Sequence, residues 1–325
     1  MAKILLHTED LKKYYPVRRG LIGNKTEYVK SVDGVSFDVY ENEVFGIVGE
    51  SGCGKSTLGK LICNLVSITE GKININGKDI SSLSKKEMRD VRKDVQMVFQ
   101  DPYASLNPRM SVRETIAEPL IIHNLAHGKK DIDKKVIELL QLVGLDSYHA
   151  PRYPHEFSGG QRQRIGIARA LAVQPKLIIA DEPVSALDVS IQSQVLNLLN
   201  DLKKRLNLTY VFIAHDLSVV EHISDRIGVM YLGNFVEVAD KFELYENPLH
   251  PYTQALLSAI PIPDPTVKRD RIILEGSIPS ALNPPSGCKF HTRCNKCMDI
   301  CKVEVPVKIT VDDKHYVYCH LYNKK

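Results

Sequence analysis

A glycine-rich run near the N-terminus constrains the fold of this chain more than any other feature. The run, Gly49-Glu50-Ser51-Gly52-Cys53-Gly54-Lys55-Ser56, fits the phosphate-binding pattern G-x-x-x-x-G-K-[ST]. It follows the apolar run Val44–Val48, so the sequence predicts a buried strand, a glycine loop and a helix that starts near Lys55. Glycines let successive backbone N–H groups turn inward around an anion, and the helix N-terminus adds positive charge.

The residues after the glycines suit a bound nucleotide. Lys55 is expected to reach the β- and γ-phosphates, and the Ser56 hydroxyl is expected to ligate Mg²⁺. The competing interpretation is a plain glycine turn between a strand and a helix. Other motifs along the chain decide between the two.

Composition indicates a folded chain without an obvious nucleic-acid partner. The chain has 325 residues, of which 43% are hydrophobic and 25% charged, and its net charge is only +4. Lys and Arg are scattered rather than clustered, which is typical of a solvated surface. No apolar stretch approaches about 18 residues, and the N-terminal apolar run is too short for a signal peptide. We therefore expect a cytosolic chain that meets a membrane only through a partner.

Five of the seven cysteines crowd into the C-terminal region. They are Cys288, Cys294, Cys297, Cys301 and Cys319, with the spacing C-x5-C-x2-C-x3-C-x17-C. A reducing cytosol disfavours disulfides, so metal binding is the leading interpretation. Zinc and a [4Fe–4S] cluster both accept four sulfurs, and the spacing alone leaves this choice open.

The pattern of apolar runs predicts an α/β fold with a mostly parallel sheet at its core. Short, nearly continuous apolar runs recur at 95–99, 177–180, 210–214 and 227–231, and stretches with helical periodicity lie between them. Alternation and an Asn-Gly pair at 73–78 predict an antiparallel flank. Residues from about 105 to 154 read as a helical insert. Dense prolines after Asn247 place a boundary near residues 240–250, giving a large domain over 1–245 and a Cys/Pro-rich region over 246–325.

Two further motifs carry charge or anion-binding groups. The apolar strand 177–180 ends in Asp181 and Glu182; beside a phosphate loop, Asp181 is expected to hold Mg²⁺ and Glu182 to polarise the attacking water. The run Phe157–Gln161 precedes a predicted helix over 162–172, and its serine and glycines form a second anion site. One nucleotide does not need two such loops from one chain, so two chains could share nucleotides between them.

Together these motifs resemble the ATPase subunit of an ABC transporter over roughly residues 3–245. The phosphate loop, Gln100 after a strand, Phe157–Gln161, the Asp181-Glu182 pair, the run 185–188 and His215 stand in the family's order. The run Phe157–Gln161 starts with Phe rather than the Leu that is commoner in the family, but the functional serine and glycines of the motif are present. The fold implied is a P-loop ABC ATPase domain.

The resemblance implies a role for each matching residue. Glu182 is similar to the catalytic base, His215 contacts the γ-phosphate, and Gln100 ligates Mg²⁺ or the lytic water and senses the membrane partner. The residues implied in binding ATP and Mg²⁺ are Tyr15 (with Tyr14 and Tyr28 as alternatives), Gly49, Ser51, Gly52, Cys53, Gly54, Lys55, Ser56, Thr57, Asp181 and Asp188. Ser158, Gly159, Gly160 and Gln161 serve the nucleotide bound mainly by the opposite subunit.

The C-terminal region narrows the resemblance to importers of oligopeptides and dipeptides. The runs 247–253, 278–288 and 101–110 are similar to ATPases of such systems, and the insert Pro16–Tyr28 resembles the second of their two ATPases. The partners implied are a second ABC ATPase subunit (or a second copy of this chain), two transmembrane permease subunits and an extracytoplasmic peptide-binding protein. The implied place is the cytoplasmic face of the membrane, and the segment Pro102–Met110 is expected to contact the permease.

The same resemblance favours an iron–sulfur cluster over zinc in the cysteine region. Its pattern matches Cys288, Cys294, Cys301 and Cys319, and leaves Cys297 as a spare; His291 and His320 are alternative ligands.

A separate hypothesis concerns Cys53, which stands at a helix N-terminus beside Lys55. We expect its thiol to have more thiolate character than a free cysteine, so that alkylation blocks ATP hydrolysis and ATP slows alkylation.

Other functions remain compatible with these patterns. The cargo of the transporter could be a sugar or a metal chelate, because the permease and binding protein choose it. A soluble ABC ATPase of DNA repair or translation is disfavoured by the lack of heptads and by the single phosphate loop. The cysteine region could also be a redox sensor that gates hydrolysis.

Overall fold

A computed structural model describes residues 3–19, 25–261, 271–312 and 314–323. Within these residues the chain forms two compact units. The first unit is drawn from Met1–Leu5, Tyr40–Glu43 and Ile75–Ile213, and the second from Leu6–Val39, Val44–Asn74 and Ala214–Lys325. Residues 20–24 of the predicted Pro16–Tyr28 insert lie outside the described residues. The predicted boundary near residue 245 stays a prediction.

The strands and helices alternate along much of the chain. The strands are β1 Ile4–Arg19, β2 Lys25–Tyr40, β3 Val44–Val48, β4 Glu70–Ile75, β5 Lys78–Asp79, β6 Val95–Val98, β7 Leu177–Asp181, β8 Thr209–Ile213, β9 Arg226–Tyr231, β10 Asn234–Asp240, β11 Ile309–Thr310 and β12 Tyr316–Val317. The helices are α1 Lys55–Ile62, α2 Lys85–Asp94, α3 Val112–Ile122, α4 Gly128–Leu142, α5 Gly159–Leu171, α6 Val189–Leu206, α7 Leu217–Ile223, α8 Lys241–Glu246, α9 Pro251–Ser258 and α10 Asp299–Val303.

The core of the first unit is a parallel arrangement of β6, β7 and β8. Val95 pairs with Leu177, and Leu177 pairs with Thr209, in parallel register. Every residue of β7 and β8 is buried, as expected of strands covered on both faces. The strands predicted from these apolar runs are therefore confirmed. The carboxyl end of β7 carries the acidic pair Asp181 and Glu182.

The helical insert of the first unit forms where the sequence predicts it. Ser111 caps α3, and its side chain and that of Glu114 exchange hydrogen bonds with each other's backbone N–H, which satisfies donors that a helix start otherwise leaves open. Val136 and Leu140 of α4 are buried, four residues apart on one face of the helix, as the helical periodicity predicts. The helix α6 ends at Asn207, which adopts a left-handed conformation with φ 52°.

The second unit contains both parallel and antiparallel strands. The buried β3 runs parallel to β9, with Val48 opposite Val229. The order then continues through the antiparallel strands β10, β12 and β11. A separate sheet places β2, β1 and β4 side by side, and the ion pairs Lys12–Glu70 and Lys72–Glu9 show that β1 and β4 are antiparallel. The predicted antiparallel flank is confirmed.

The turn after β4 follows the predicted Asn-Gly chemistry. Asn76 and Gly77 adopt φ values of 51° and 79°, which suit a tight turn between β4 and β5. In the described residues no helix is both long enough and apolar enough to cross a bilayer.

A buried carboxylate joins three parts of the second unit. Glu237 of β10 is fully buried and accepts hydrogen bonds from the backbone N–H groups of Leu249 and His250 at 2.8 and 2.9 Å. It also lies 2.8 Å from Nε2 of the buried His315 in the loop before β12. A buried carboxylate is stable only when such partners replace water, so Glu237 ties the strand to the start of α9 and to the C-terminal hairpin.

We predict that Glu237→Gln lowers the free energy of unfolding by about 3 kcal/mol, because an amide cannot accept all of these hydrogen bonds and leaves buried groups unpaired. Urea unfolding followed by circular dichroism measures the change. Glu246→Gln, an exposed position on α8, is the matched control and should change the free energy by less than about 0.5 kcal/mol. Equal effects of the two substitutions would contradict this account of Glu237.

Candidate functional site

The predicted phosphate loop connects β3 to α1 in the second unit, and its glycines have little room. Gly49 and Gly54 adopt φ values of 154° and 108°. A Cβ atom on Gly49 would lie 2.1 Å from the carbonyl oxygen of Met230, and one on Gly54 would lie 2.1 Å from that of Ser31. Only glycine is compatible with these approaches. The helix starts at Lys55, as predicted.

Lys55 is held inside the loop. Its side chain is buried, and Nζ donates hydrogen bonds to the carbonyl oxygens of Gly49 at 2.7 Å and Glu50 at 3.1 Å. Ser51 and Gly52 are exposed at the tip, and Ser56 and Thr57 on the first turn of α1 are partly exposed. The loop therefore presents the ammonium, two hydroxyls and the positive end of a helix within one short segment, as a polyphosphate site requires.

The environment of Cys53 contradicts the hypothesis of a reactive thiolate. The thiol is buried, and burial raises its pKa above the ordinary value, which outweighs the opposite effect of Lys55 with Nζ 3.8 Å from Sγ. A Cβ on Gly49 would lie 2.9 Å from this sulfur, so the thiol fills space behind the loop. The prediction was wrong because the sequence position showed the nearby charge but not the burial.

The acidic pair lies at the carboxyl end of β7 in the first unit. Asp181 is buried at the strand end, while Glu182 is partly exposed and adopts a left-handed φ of 45°. The Glu182 backbone N–H donates to the carbonyl of Ile213 at 2.9 Å, and the Gln100 amide Nε2 donates to the Glu182 carboxylate at 2.8 Å. The unit thus brings together two of the three residues predicted to be catalytic, and Gln100 is positioned to orient the carboxylate.

The second anion motif forms the start of α5, also in the first unit. Ser158 caps the helix in a reciprocal arrangement with Gln161. The helix therefore begins at Gly159, earlier than predicted, because this cap lets the two glycines join its first turn. A Cβ on Gly160 would lie 2.4 Å from Ile191 of α6. Phe157 is buried, so the position before the serine requires an apolar side chain rather than leucine in particular.

The remaining predicted residues lie at the ends of strands and helices. Asp188 is the exposed N-cap residue of α6 in the first unit, and His215 is exposed one residue before Asp216, which caps α7 in the second. Each unit thus carries its own part of the predicted set. The roles assigned to these residues stay predictions.

Three tyrosines were candidates for contact with adenine. The Tyr14 hydroxyl donates to the Asp33 carboxylate, and Lys30 Nζ lies 5.5 Å from the Tyr14 ring centroid. Tyr15 is partly exposed with Lys13 Nζ 4.9 Å from its ring, and Tyr28 is exposed. Tyr14 already has a hydrogen-bonding role in the second unit, which leaves Tyr15 as the better candidate for stacking.

The five C-terminal thiols interact electrostatically but do not form a metal-binding group. Burial, with a smaller contribution from neighbouring thiols, raises the pKa of the Cys288 and Cys319 thiols to about 11 and about 12. Nearby backbone N–H groups act in the opposite direction: that of Phe290 on Cys288 and that of Leu321 on Cys319. No three His, Cys, Asp or Glu side chains of the described ranges are arranged as a metal-binding group. The structure does not support the predicted iron–sulfur or zinc site, and it does not place His291 or His320 in one.

Sequence patterns did not indicate two contacts to the phosphate loop. The Arg293 guanidinium donates to both carboxylate oxygens of Glu50, at 2.7 and 3.1 Å. The Tyr252 hydroxyl accepts the backbone N–H of Glu50 at 2.9 Å. The partners are 243 and 202 residues apart, and no local spacing rule joins residues at such distances. The only signal was the presence of an arginine directly before Cys294.

Comparison with known proteins agrees with this geometry. A family model described as ABC transporter matches residues 32–185, and one described as oligopeptide/dipeptide transporter, C-terminal region, matches 236–301. The oligopeptide transport ATP-binding protein AppF of Bacillus subtilis is 58% identical over 98% of each chain. OppF of Salmonella typhimurium is 52% identical and covers 98% of this chain and 96% of its own length.

The chain belongs to the ATP-binding proteins of oligopeptide/dipeptide ABC transporters. Solved structures agree: a dimeric ATP-binding cassette in a post-hydrolysis state, bound to ADP and Pi, superimposes with a TM-score of 0.65 at 30% identity, covering 73% of this chain and 99% of that one. The predicted family and the predicted P-loop ABC ATPase fold are confirmed.

We predict that Cys53 in the native protein reacts with iodoacetamide at neutral pH at least about tenfold more slowly than in the urea-unfolded chain, because burial blocks access and disfavours the thiolate. Peptide mapping by mass spectrometry measures the labelling of each cysteine. The exposed Cys297 in the same samples is the control for reagent activity. Rapid native labelling of Cys53 would restore the hypothesis of a reactive thiolate.

Proposed function

We propose that this chain hydrolyses ATP to power the import of oligopeptides or dipeptides through a pair of membrane permease subunits, from the cytoplasmic face of the membrane. The observation that carries the proposal is the match of the oligopeptide/dipeptide transporter model to residues 236–301, which follow the residues matched by the ABC transporter model. That model is described for oligopeptide and dipeptide transporters, which favours peptides over a sugar or a metal chelate. The glycine loop built around Lys55 supports nucleotide binding independently of this match.

The chemistry of hydrolysis is assigned to three residues. Glu182 is the general base that polarises the attacking water, and its carboxylate is held by Gln100 at 2.8 Å. His215 contacts the γ-phosphate. Glu182 follows the buried strand β7 and has a left-handed backbone conformation. We assign this strained position to function, because it places the carboxylate beyond the end of the strand rather than in the hydrophobic core.

The phosphates and the metal are assigned to the loop. Lys55 neutralises the β- and γ-phosphates, and the backbone N–H groups of the loop surround them. Ser56 and Gln100 would ligate Mg²⁺, with Asp181 holding the ion directly or through water. The ion held there would neutralise charge that develops on the transferred phosphoryl group.

A complete site requires two chains. Ser158, Gly159, Gly160 and Gln161 stand at the start of α5 in the first unit, with Ser158 exposed and Gly160 buried, and the helix N-terminus suits a phosphate bound mainly by another chain. The dimeric cassette similar to this chain supports such an arrangement. The opposite chain is a second ATPase subunit or a second copy of this one, and Asp188 lies in the loop that joins the sites. Closure on ATP and opening after hydrolysis drive the transporter.

The remaining partners follow from the importer architecture. The segment Pro102–Met110, which directly follows Gln100, is the proposed permease contact, and Tyr103 within it is exposed. An extracytoplasmic peptide-binding protein delivers the cargo. The chain attaches to the membrane peripherally, through the permease.

We further propose that Cys288, Cys294, Cys301 and Cys319 hold a [4Fe–4S] cluster, with zinc as the alternative and Cys297 as a spare. The chemistry of the donor set supports this assignment, because these thiols interact electrostatically, with Cys297 among them, and a backbone N–H group that favours the thiolate lies beside Cys288, Cys294 and Cys319. Bound iron would offset the burial that raises the pKa values of Cys288, Cys294 and Cys319.

We predict that Glu182→Gln lowers kcat for ATP hydrolysis by about 10²- to 10⁴-fold while ATP binding is retained, because the amide cannot accept the proton of water. Phosphate release measures turnover, and a fluorescent ATP analogue measures binding. Asp201→Asn on the exposed face of α6 is the control and should leave both unchanged. A Gln variant that still turns over at near the wild-type rate would exclude Glu182 as the base.

We predict about four iron and about four sulfide per chain after anaerobic purification. Cys301→Ser and Cys319→Ser should each lose most of the iron, and Cys297→Ser should keep it, because Cys297 is the spare. Elemental analysis and visible absorption measure the content. One zinc per chain, in a protein without visible absorption, would indicate a structural zinc site and overturn the cluster assignment.

A further inference from the structure

The stretch between Cys288 and Cys294 carries two cations, Lys289 and Arg293, that form ion pairs with other parts of the second unit. Lys289 and Arg293 are both largely buried, with side chains 18% and 7% exposed. Arg293 is paired with Glu50 of the phosphate loop, and Lys289 is paired with Asp33 of β2. Neither pairing is needed to hold a metal, and neither belongs to the motifs of hydrolysis described above.

Arg293 forms an ion pair with Glu50 of the phosphate loop. Its guanidinium makes two hydrogen bonds to the Glu50 carboxylate, at 2.7 and 3.1 Å, the paired geometry that only arginine offers. Glu50 is the second residue of the loop, and its carbonyl oxygen accepts from Lys55 Nζ at 3.1 Å. The loop residue that contacts the phosphate-binding lysine therefore also contacts the cysteine region.

A second contact fixes the same residue from the backbone side. The fully buried Tyr252 accepts the Glu50 N–H at 2.9 Å. Its ring packs against Phe290, with centroids 5.3 Å apart, and Phe290 lies between Lys289 and Arg293 in sequence. The side chain and the backbone of Glu50 are thus both held by groups from the C-terminal region.

Lys289 makes a further contact within the second unit, to β2 and to the residue that follows β9. Its Nζ lies 2.7 Å from Asp33 of β2 and 2.9 Å from the carbonyl oxygen of Leu232. Asp33 also accepts the hydroxyl of Tyr14, the neighbour of Tyr15 on β1. The short stretch from Lys289 to Arg293 therefore contacts the phosphate loop at Glu50 and contacts Asp33, which in turn binds the Tyr14 hydroxyl.

The charge of Glu50 gives these contacts a functional consequence. A carboxylate in a loop that must accept a polyphosphate repels the ligand unless a cation neutralises it. We propose that Arg293 is a positioning residue for ATP: it neutralises Glu50 and holds the phosphate loop, so that the folded cysteine region sets the affinity of the site for the polyphosphate of ATP. The inference rests on the proposed ATPase function and deepens it by a regulatory link.

The test compares Arg293→Gln with the wild-type protein by binding of a fluorescent ATP analogue and by steady-state hydrolysis. Loss of the pair should raise Kd and KM for ATP by about five- to tenfold and change kcat by less than about twofold, because Arg293 does not touch the reacting atoms. Adding Glu50→Gln to this variant should recover most of the affinity, since it removes the unpaired charge. Lys302→Gln, which breaks an exposed pair with Asp299 nearby, is the matched control.

Each outcome separates the alternatives. Unchanged Kd in Arg293→Gln overturns the inference, and a double variant that binds no better than Arg293→Gln overturns charge neutralisation as its cause. If Arg293→Gln does not fold, Arg293→Lys keeps the charge and should bind with an intermediate Kd; wild-type affinity there would also overturn the need for the paired geometry. A wild-type protein that binds the analogue but does not hydrolyse ATP would refute the proposed ATPase while the binding comparison still tests Arg293.

Discussion

The close fit of the phosphate loop against two backbone carbonyls governs the rest of the site. The oxygens of Met230 and Ser31 leave no room for side chains at Gly49 and Gly54, so the loop follows one path between β3 and α1. That path directs Lys55 and the first turn of α1 toward the same small volume. Because the limits come from neighbouring strands rather than from flexible side chains, the geometry for a phosphate is built before any ligand binds.

The C-terminal region belongs to the same compact unit as this loop. Tyr252 and Arg293 connect the two, because both form hydrogen bonds with Glu50. A proline-rich stretch with few core residues gains order from buried polar partners such as Glu237 and His315. The stretch that carries the cysteines is then anchored at the loop through Glu50. Changes in the folding of the cysteine region and changes in the phosphate loop are therefore expected to be coupled.

Local sequence patterns predicted those parts of the structure that depend on neighbours along the chain. The glycine loop, the buried strands and the Asn76-Gly77 turn were predicted because each is encoded by a few consecutive residues. The thiolate character of Cys53 was predicted wrongly because burial by distant segments outweighs an adjacent lysine. The contact of Arg293 with Glu50 was missed for the same reason, since tertiary contacts between distant residues follow from the whole fold rather than from spacing.

The central claim is that ATP is hydrolysed in a site completed by a second chain. Mixing a Lys55→Ala chain with a Ser158→Arg chain tests it most directly, because each variant damages a different side of the shared site. In a shared site each variant alone is inactive, and an equal mixture recovers roughly a quarter of the wild-type rate of phosphate release, since half of the dimers are mixed and hold one intact site. A mixture that stays inactive, under conditions in which the wild-type chain alone hydrolyses ATP, would contradict the claim.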